Sequence, residues 1–437
     1  MLAVQAGAFI RLNMMGWQHV TLSGASIVIV GASVLISAMA MGLYQGRLRE
    51  GFEGVLVRLA VSCAAATLLL SLVFYLFPSL HMGRGVLILA MLLSFCALAS
   101  VRYCFLRVVD EALLKRRVLV LGAGKKAANI NRRIRRKADQ RGFYILGYVH
   151  VHGEKDDIPD DRVIHMEGRL NEYVLENEVD EIVVAIDDRR IKFPMGDLLE
   201  LKLNGIDVVD ALTFFEREMG KIETTFLSPG WLIFSEGFDR SITRGLSKRI
   251  FDIVASLLIL MVTWPVMLAT MFAIRAEDGS LAPYFYKQTR VGLDGELFDV
   301  LKFRSMIENA EKDGAVWAQK NDMRVTKVGA FIRKYRIDEL PQLINVFKGE
   351  MAFVGPRPER PEFIGELTEK IPYFNERQYV KPGITGWAQL CYPYGASDED
   401  SEQKLQYDLY YVKNHNLVLD LTILIQTVEV VLFGRGR

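Results

Sequence analysis

Four apolar stretches, residues 22–43, 59–77, 85–101 and 250–274, limit what this chain can fold into more than any other feature. A helix needs roughly 17 to 25 apolar residues to cross a bilayer core, and each stretch meets that length. The first three read as transmembrane helices. Arg47, Arg49 and Arg58 lie between the first two, and Arg102, Arg107, Lys115, Arg116 and Arg117 follow the third. The excess of cations places both groups on the cytoplasmic side, and the short link holding His81 and Arg84 then lies outside. Residues 1–20 are only patchily apolar and hold Arg11, Asn13, Gln18 and His19. They lack the ordered regions of a cleavable signal peptide, and the sequence leaves open whether they add a further span.

The fourth stretch differs. Lys248 and Arg249 precede it and Arg275, Lys287 and Arg290 follow it, so the charge rule asks for both ends on the cytoplasmic side. Pro265 in its middle removes a backbone hydrogen bond and crowds the preceding turn. A re-entrant helix, broken at Pro265 and leaving by the leaflet it entered, satisfies both observations; an ordinary span is the alternative. Residues 417–433 are apolar but interrupted by Asp420, Gln426 and Glu429. That pattern suits a helix in the membrane interface or a buried core helix.

Hydrophobic residues make up 51% of the chain, high for a purely soluble enzyme. The net charge of +1 gives no reason to expect nucleic acid as a partner. Cys63, Cys96, Cys104 and Cys391 form no CxxC pair, so neither a disulfide framework nor a zinc site is indicated.

Residues 116–241 read as a soluble domain. The strand-length runs RRVLVLG, YILGYV, DEIVVAID and IDVVDAL alternate with helical stretches, the pattern of a parallel α/β sheet. Gly122, Gly124 and Ala127 match GxGxxA, the loop that brings a dinucleotide pyrophosphate to a helix N-terminus. His150, Val151 and His152 follow the second strand, where a ribose-binding acid is needed. The expectation is a Rossmann-like fold serving structure more than nucleotide binding. The run Arg132, Arg133, Arg135, Arg136 and Lys137 forms a solvated helix face or meets lipid headgroups.

Chemistry gathers beyond residue 275. In IDELPQLINVFKGEMAFVGPRP, Asp338 and Glu339 precede a helix in which Leu340, Leu343, Ile344 and Phe347 recur at helical spacing. Pro341 suits its first turn and Gly349 its stop. An ionised carboxylate is favoured there, able to attack phosphorus or hold a divalent metal; read alone, such an Asp is most often an ordinary N-cap. Arg357, stiffened between Pro356 and Pro358, presents a guanidinium to a phosphate or marks an exposed proline turn. LFDVLKFRSM alternates as a strand, with Lys302 and Arg304 on one face. Two such cations suit a diphosphate, or make a solvated face.

From Lys248 onward the segments KRIFDIVASLLILMVTWP, YKQTRVGLDGELFDVLKFRSM, DMRVTKVGAFIRKYRIDELPQLINVFKGEMAFVGPRPERPEF, YVKPGITGWAQL and YDLYYVKNHNLVLDL follow in order. This part resembles the bacterial polyprenyl-phosphate sugar phosphotransferases. The whole layout is similar to their large monotopic form, which begins exopolysaccharide or O-antigen synthesis. The resemblance implies a membrane protein of α plus α/β class, with transmembrane helices in residues 1–110 and a Rossmann-like accessory domain in 111–241. A re-entrant helix with a mixed α/β catalytic domain would fill 242–437. It departs from the family at the N-terminus, where four spans are expected, and at Trp264, where many relatives have Ser before the proline.

What the resemblance implies for chemistry is transfer of a sugar-1-phosphate from a UDP-sugar to undecaprenyl phosphate, releasing UMP, through a covalent phosphosugar on Asp338. Glu339 is then the Mg²⁺ ligand, and Lys302, Arg304 and Arg357 neutralise phosphate. Asp408, Trp387 and Gln389 are further candidates for substrate contact. The protein would sit in the bacterial inner membrane with its catalytic domain on the cytoplasmic face, among membrane lipids and as a homodimer through the middle domain. Two other classes stand beside this reading. A sugar-nucleotide oxidoreductase built on the middle domain would need a YxxxK pair, which that domain lacks. A non-catalytic membrane scaffold for polysaccharide assembly has no need of the charged residues just named. No residue fixes the sugar.

Overall fold

The computed structural model describes Gln5, Phe9 and residues 24–43, 52–80, 82–108, 115–134, 142–166, 168–187, 194–238, 240–279, 283–307, 323–392, 395 and 397–433. The chain divides into two units, residues 1–214 and 215–437.

The first unit opens with α1 (Gly24–Ala40), α2 (Phe52–Leu76) and α3 (Arg84–Val108). Within α2 and α3, Val55–Leu76 and Arg84–Phe105 are long and apolar enough to cross a membrane; α1 is shorter. A seam of Val30, Val34, Leu70, Phe74 and Ala90 packs the three together, while Leu68, Leu72, Leu92 and Val101 stay exposed. Apolar surface on all sides with one packed seam is what a lipid environment asks of a helix. Arg58 donates to the Met41 carbonyl at 2.9 Å and Arg102 to that of Leu43. These carbonyls follow the end of α1, so the two arginines tie the turn after α1 to α2 and α3.

The rest of this unit is a parallel five-stranded sheet. Its strands are β1 (Arg116–Leu121), β2 (Phe143–Val149), β3 (Val163–Ile164), β4 (Glu181–Val184) and β5 (Asp207–Asp210), in the order β3-β2-β1-β4-β5. The four strand runs expected from the sequence are β1, β2, β4 and β5; the two-residue β3 was not among them. Helices α4 (Lys125–Arg133), α5 (Leu170–Glu176) and α6 (Met195–Leu203) alternate with them, and Leu119, Leu121, Ile182, Val174 and Leu201 form a buried core. The order reverses between β1 and β4, the switch point at which such sheets open a crevice. Arg135, Arg136 and Lys137 of the basic run lie outside the described residues.

The second unit is built around α7 (Ile242–Asp278), 37 residues long and about 55 Å at ~1.5 Å per residue. Its first turns dock firmly. Lys248 Nζ donates to Asp420 at 2.6 Å, to Tyr411 at 3.0 Å and to the Val354 carbonyl at 3.1 Å. Arg249 donates to the carbonyls of Val346 and Phe347, both at 2.7 Å, and Asp252 accepts from Phe353 N. Its last turn docks as well: Glu277 accepts from Lys327 N and Val328 N at 2.8 Å, and Ile274 packs with Phe303 and Ile332. Between these ends Met261, Val262, Trp264 and Phe272 are exposed.

The break expected at Pro265 is not one of secondary structure, because α7 runs unbroken through it. A proline costs a helix one backbone hydrogen bond and a steric push, and the long helical segments on either side hold the conformation. Trp264 brings no hydroxyl, but Thr263 Oγ1 donates to the Ile259 carbonyl at 2.7 Å.

After α7 come the antiparallel pair β6 (Phe285–Val291) and β7 (Leu297–Phe303), then α8 (Lys327–Lys334), α9 (Gln342–Lys348), β8 (Ala352–Val354) and α10 (Pro361–Lys370). The chain finishes with β9 (Gly383–Thr385), α11 (Trp387–Cys391), α12 (Asp398–Asn414) and α13 (Leu417–Phe433). Ser397 and Asp400 close a capping box that starts α12. The core joins Val300, Leu343, Val346, Phe353, Tyr411 and Ile423.

Candidate active site around Asp338 and Glu339

Asp338 and Glu339 lie in a single 3₁₀ turn, Ile337–Glu339, between α8 and α9. The turn is forced by Arg336, whose backbone takes φ +57°, a left-handed conformation rare for a residue with a side chain. Pro341 and Gly349 bound α9 as the sequence anticipates; Gly349 stops it at φ +93°. The two acids therefore precede the helix by one tight turn.

Cations crowd this turn. Arg336 Nη1 donates to Glu339 Oε1 at 3.2 Å, and Arg357 Nη2 stands 3.6 Å from the same oxygen. Burial opposes charge on Glu339, yet Arg357, Lys302 and Arg336 together outweigh it and hold its carboxyl below the usual range. Asp338 behaves in the opposite way. Burial, reinforced by the negative Glu339, pushes it up to about 6. Its Oδ1 is buried and accepts no hydrogen bond from the described residues. Lys302, near the end of β7, is brought down to about 8 by burial, against the attraction of Glu339. Two neighbouring carboxylates thus sit in different states, one fixed as an anion and the other poised to change charge near neutrality.

Of the candidates read from the sequence, Asp338, Glu339, Arg357 and Lys302 come together. Arg304 follows β7, where its Nε donates to the Met306 carbonyl at 3.1 Å. Asp408 is buried on α12 in an ion pair with Arg377, 2.8 Å away. It reaches the site indirectly, because the same Arg377 Nη2 donates to the Arg357 carbonyl at 2.8 Å. Burial raises the Asp408 carboxyl to about 6 even beside that guanidinium. Trp387 is half-buried, with its indole N–H given to the Gly220 carbonyl at 2.7 Å. Gln389 Nε2 is buried without a partner among the described residues.

Gly383 and Gly386 allow close approach of backbone to backbone. A Cβ on Gly383 would lie 2.1 Å from Gly355 N, and one on Gly386 would lie 2.3 Å from Gly355 O. Gly355 N donates to Thr385 O and Gly383 N to Pro356 O, both at 2.9 Å. The turn that carries Arg357 is thus clamped against β9 and Gly386. Arg336 and Arg377 were missed by sequence reasoning. Arg336 adjoins the acids in sequence and was legible as a charge; Arg377 carries no pattern that links it to Arg357.

A cleft of about 460 Å³ runs beside the turn, lined by Ala269, Thr270 and Ala273 of α7, Val328 and Phe331 of α8, and Ile337. It is apolar and begins one residue before Asp338.

Apolar helices of membrane length in a chain that also sets a buried carboxylate pair among guanidinium and ammonium groups define a class: a membrane-associated protein with a charged candidate site. Residues 243–434 match the family of bacterial sugar transferases, and residues 39–192 match a family described as a CoA-binding domain. An uncharacterized sugar transferase of Bacillus subtilis is 42% identical over 189 residues, 43% of this chain and 89% of that relative. The N-acetylgalactosaminephosphotransferase of Aeromonas hydrophila, named for UDP-N-acetylgalactosamine and undecaprenyl phosphate, is 46% identical over 189 residues, 43% of this chain and 44% of its own. The UDP-glucose:undecaprenyl-phosphate glucose-1-phosphate transferase of Xanthomonas campestris is 34% identical over 274 residues, 60% of this chain and 55% of its own. The chain spans about half the length of these last two relatives. It belongs to the bacterial sugar transferases, the family of polyprenyl-phosphate sugar phosphotransferases.

Proposed function

We propose that this protein transfers a sugar-1-phosphate from a UDP-sugar to undecaprenyl phosphate, and that Asp338 carries the sugar phosphate between them. The observation that supports this most is Asp338 Oδ1, buried and without a donor among the described residues, beside Glu339, Arg357 and Lys302. A carboxylate oxygen left unsolvated and unpaired is more nucleophilic than one tied up by hydrogen bonds.

In the first step an oxygen of Asp338 attacks the β-phosphorus of the UDP-sugar. The bond to the bridging oxygen breaks, and UMP leaves with the electron pair. In the second step an oxygen of the lipid phosphate attacks the same phosphorus, and the Asp338 carboxylate leaves. Arg357 and Lys302 neutralise the phosphate oxygens, which must approach an anion, and Arg304 adds to the positive field. Arg377 and Asp408 keep Arg357 in place, and Trp387 and Gln389 border its clamp.

Magnesium suits the donor set: it takes one or two carboxylates and completes its shell with water and substrate phosphate. Glu339 would hold it, and when bound it would supply further neutralisation of the diphosphate.

The polyprenyl chain of the lipid acceptor would take the apolar cleft lined by α7, α8 and Ile337. Both ends of α7 dock on one unit and its middle is exposed, as expected of a helix whose middle dips into one leaflet while the unit stays on a single side of the membrane. This supports a re-entrant disposition. Nucleotide sugars are cytoplasmic, so the domain faces the cytoplasm of a bacterial inner membrane. The reaction would be the first membrane step of exopolysaccharide synthesis, in a protein that self-associates through its middle domain.

The test is UMP release from a panel of UDP-sugars by protein in nanodiscs with Mg²⁺ and undecaprenyl phosphate. Turnover with one sugar, dependent on lipid and absent in Asp338→Asn, is expected. Release of no UMP from any sugar would overturn the reading.

A further inference from the structure

The crevice at the switch point of the middle domain is where a dinucleotide or coenzyme A diphosphate would bind. In such folds the second glycine of the fingerprint lets the backbone approach the pyrophosphate, whose oxygens take the amides of the loop and of the following helix. Here Gly122 holds the required turn at φ +117°, and a Cβ there would strike the Ala185 carbonyl at 2.8 Å. The loop has its usual shape. Its amides are nevertheless taken.

Glu154 Oε2 accepts from Ala123 N at 3.2 Å. Asp187 accepts from Lys125 N at 2.6 Å through Oδ2 and from Lys126 N at 2.9 Å through Oδ1. Glu154 Oε1 also accepts from Asp187 N at 2.7 Å, joining the segment after β2 to the segment after β4. Around Gly124, the added Cβ would meet Asp187 Oδ2 at 2.5 Å and Glu154 Oε1 at 2.7 Å. The space that this glycine leaves open is therefore filled by carboxylate oxygens. The segment carrying Glu154 is itself held over the loop, with Asp157 N donating to the Ala123 carbonyl at 2.8 Å. At the end of β2, where a ribose would be read, His150 Nδ1 pairs with Asp156 at 2.8 Å.

We infer that the middle domain is closed to diphosphate ligands, because Glu154 and Asp187 occupy the phosphate position of its glycine loop as a built-in anion. Two carboxylates supply the oxygens and the negative charge that a pyrophosphate would bring, so an incoming diphosphate finds the amides of Ala123, Lys125 and Lys126 already bonded and is repelled. The domain matches a CoA-binding family in fold, and its residues do not fit that ligand.

Hydrogen–deuterium exchange on the full chain in nanodiscs tests this, because it reads the middle domain separately from any diphosphate bound near Asp338. In wild-type protein, millimolar CoA, NAD or pyrophosphate leaves the peptides over residues 118–134 and 150–157 unchanged. Glu154→Ala/Asp187→Ala speeds exchange at Ala123, Lys125 and Lys126 by roughly tenfold or more, and pyrophosphate slows it again. Glu154→Gln, a milder change that keeps the fold, speeds exchange at Ala123 and Asp187. Ligand protection of these peptides in the wild type would overturn the inference. So would unchanged exchange in Glu154→Gln, or a folded double variant that pyrophosphate fails to protect.

Discussion

Replacing Asp338 by Asn should abolish activity and make the protein more stable. An aspartate carboxyl has an ordinary value of 3.8, and burial beside Glu339 raises it to about 6 in the folded protein. The folded state therefore binds this proton more tightly than the unfolded chain, and stability falls as pH rises from about 4 to 6. Above 6, two units at ~1.36 kcal/mol each place the cost of the buried charge at about 3 kcal/mol. Asparagine never carries that charge. At pH 7.5 the variant should gain up to about 3 kcal/mol, or about 6–12 °C in unfolding temperature for a unit of this size. At pH 5 the wild-type carboxyl is mostly protonated in the fold, and the advantage shrinks to about 1.6 kcal/mol. Thermal unfolding of both proteins in the same nanodiscs, at one scan rate and both pH values, measures this. A variant no more stable than wild type at pH 7.5, or a gap that does not narrow at pH 5, would refute the reasoning.

The same groups set the pH dependence of turnover. The rate should rise through about 6 as Asp338 loses its proton and fall through about 8 as Lys302 loses its charge; Lys302→Met should remove the alkaline limb from a pH–rate profile. Asp408→Asn weakens the hold of Arg377 on the Arg357 carbonyl, so steady-state kinetics should give kcat lower by about tenfold with little change in KM for the UDP-sugar. Ala273→Trp fills the cleft beside Ile337 and should slow lipid-dependent turnover more than exchange of labelled UMP into the UDP-sugar. Equal effects on both would remove the cleft from the acceptor's path.

The acid pair and Arg357 were legible because one short helix and one turn separate them, and Pro341, Gly349 and the paired prolines mark those boundaries. Lys302 was legible from the two-residue period of β7. What escaped the sequence depends on contacts between distant segments. Nothing near Arg377 signals that it joins Asp408 to the Arg357 carbonyl, and only the folded chain brings Gly355 against Gly383 and Gly386. The charges flanking α7 pointed to one side of the membrane. That Lys248 and Glu277, near its two ends, dock on the same unit was not legible from those charges. In the middle domain GxGxxA predicted the loop, while its occupants come from two other loops, beyond the reach of any local motif.

The central claim is that Asp338 carries the sugar phosphate. Incubating the purified protein with its UDP-sugar and Mg²⁺ without lipid, then measuring UMP release and the mass of the Asp338 peptide, tests it most directly. The account predicts a burst of UMP equal to the enzyme present, with one sugar-phosphoryl group on that peptide that disappears when undecaprenyl phosphate is added. UMP release that requires the lipid from the first turnover, with Asp338 unmodified, would contradict it.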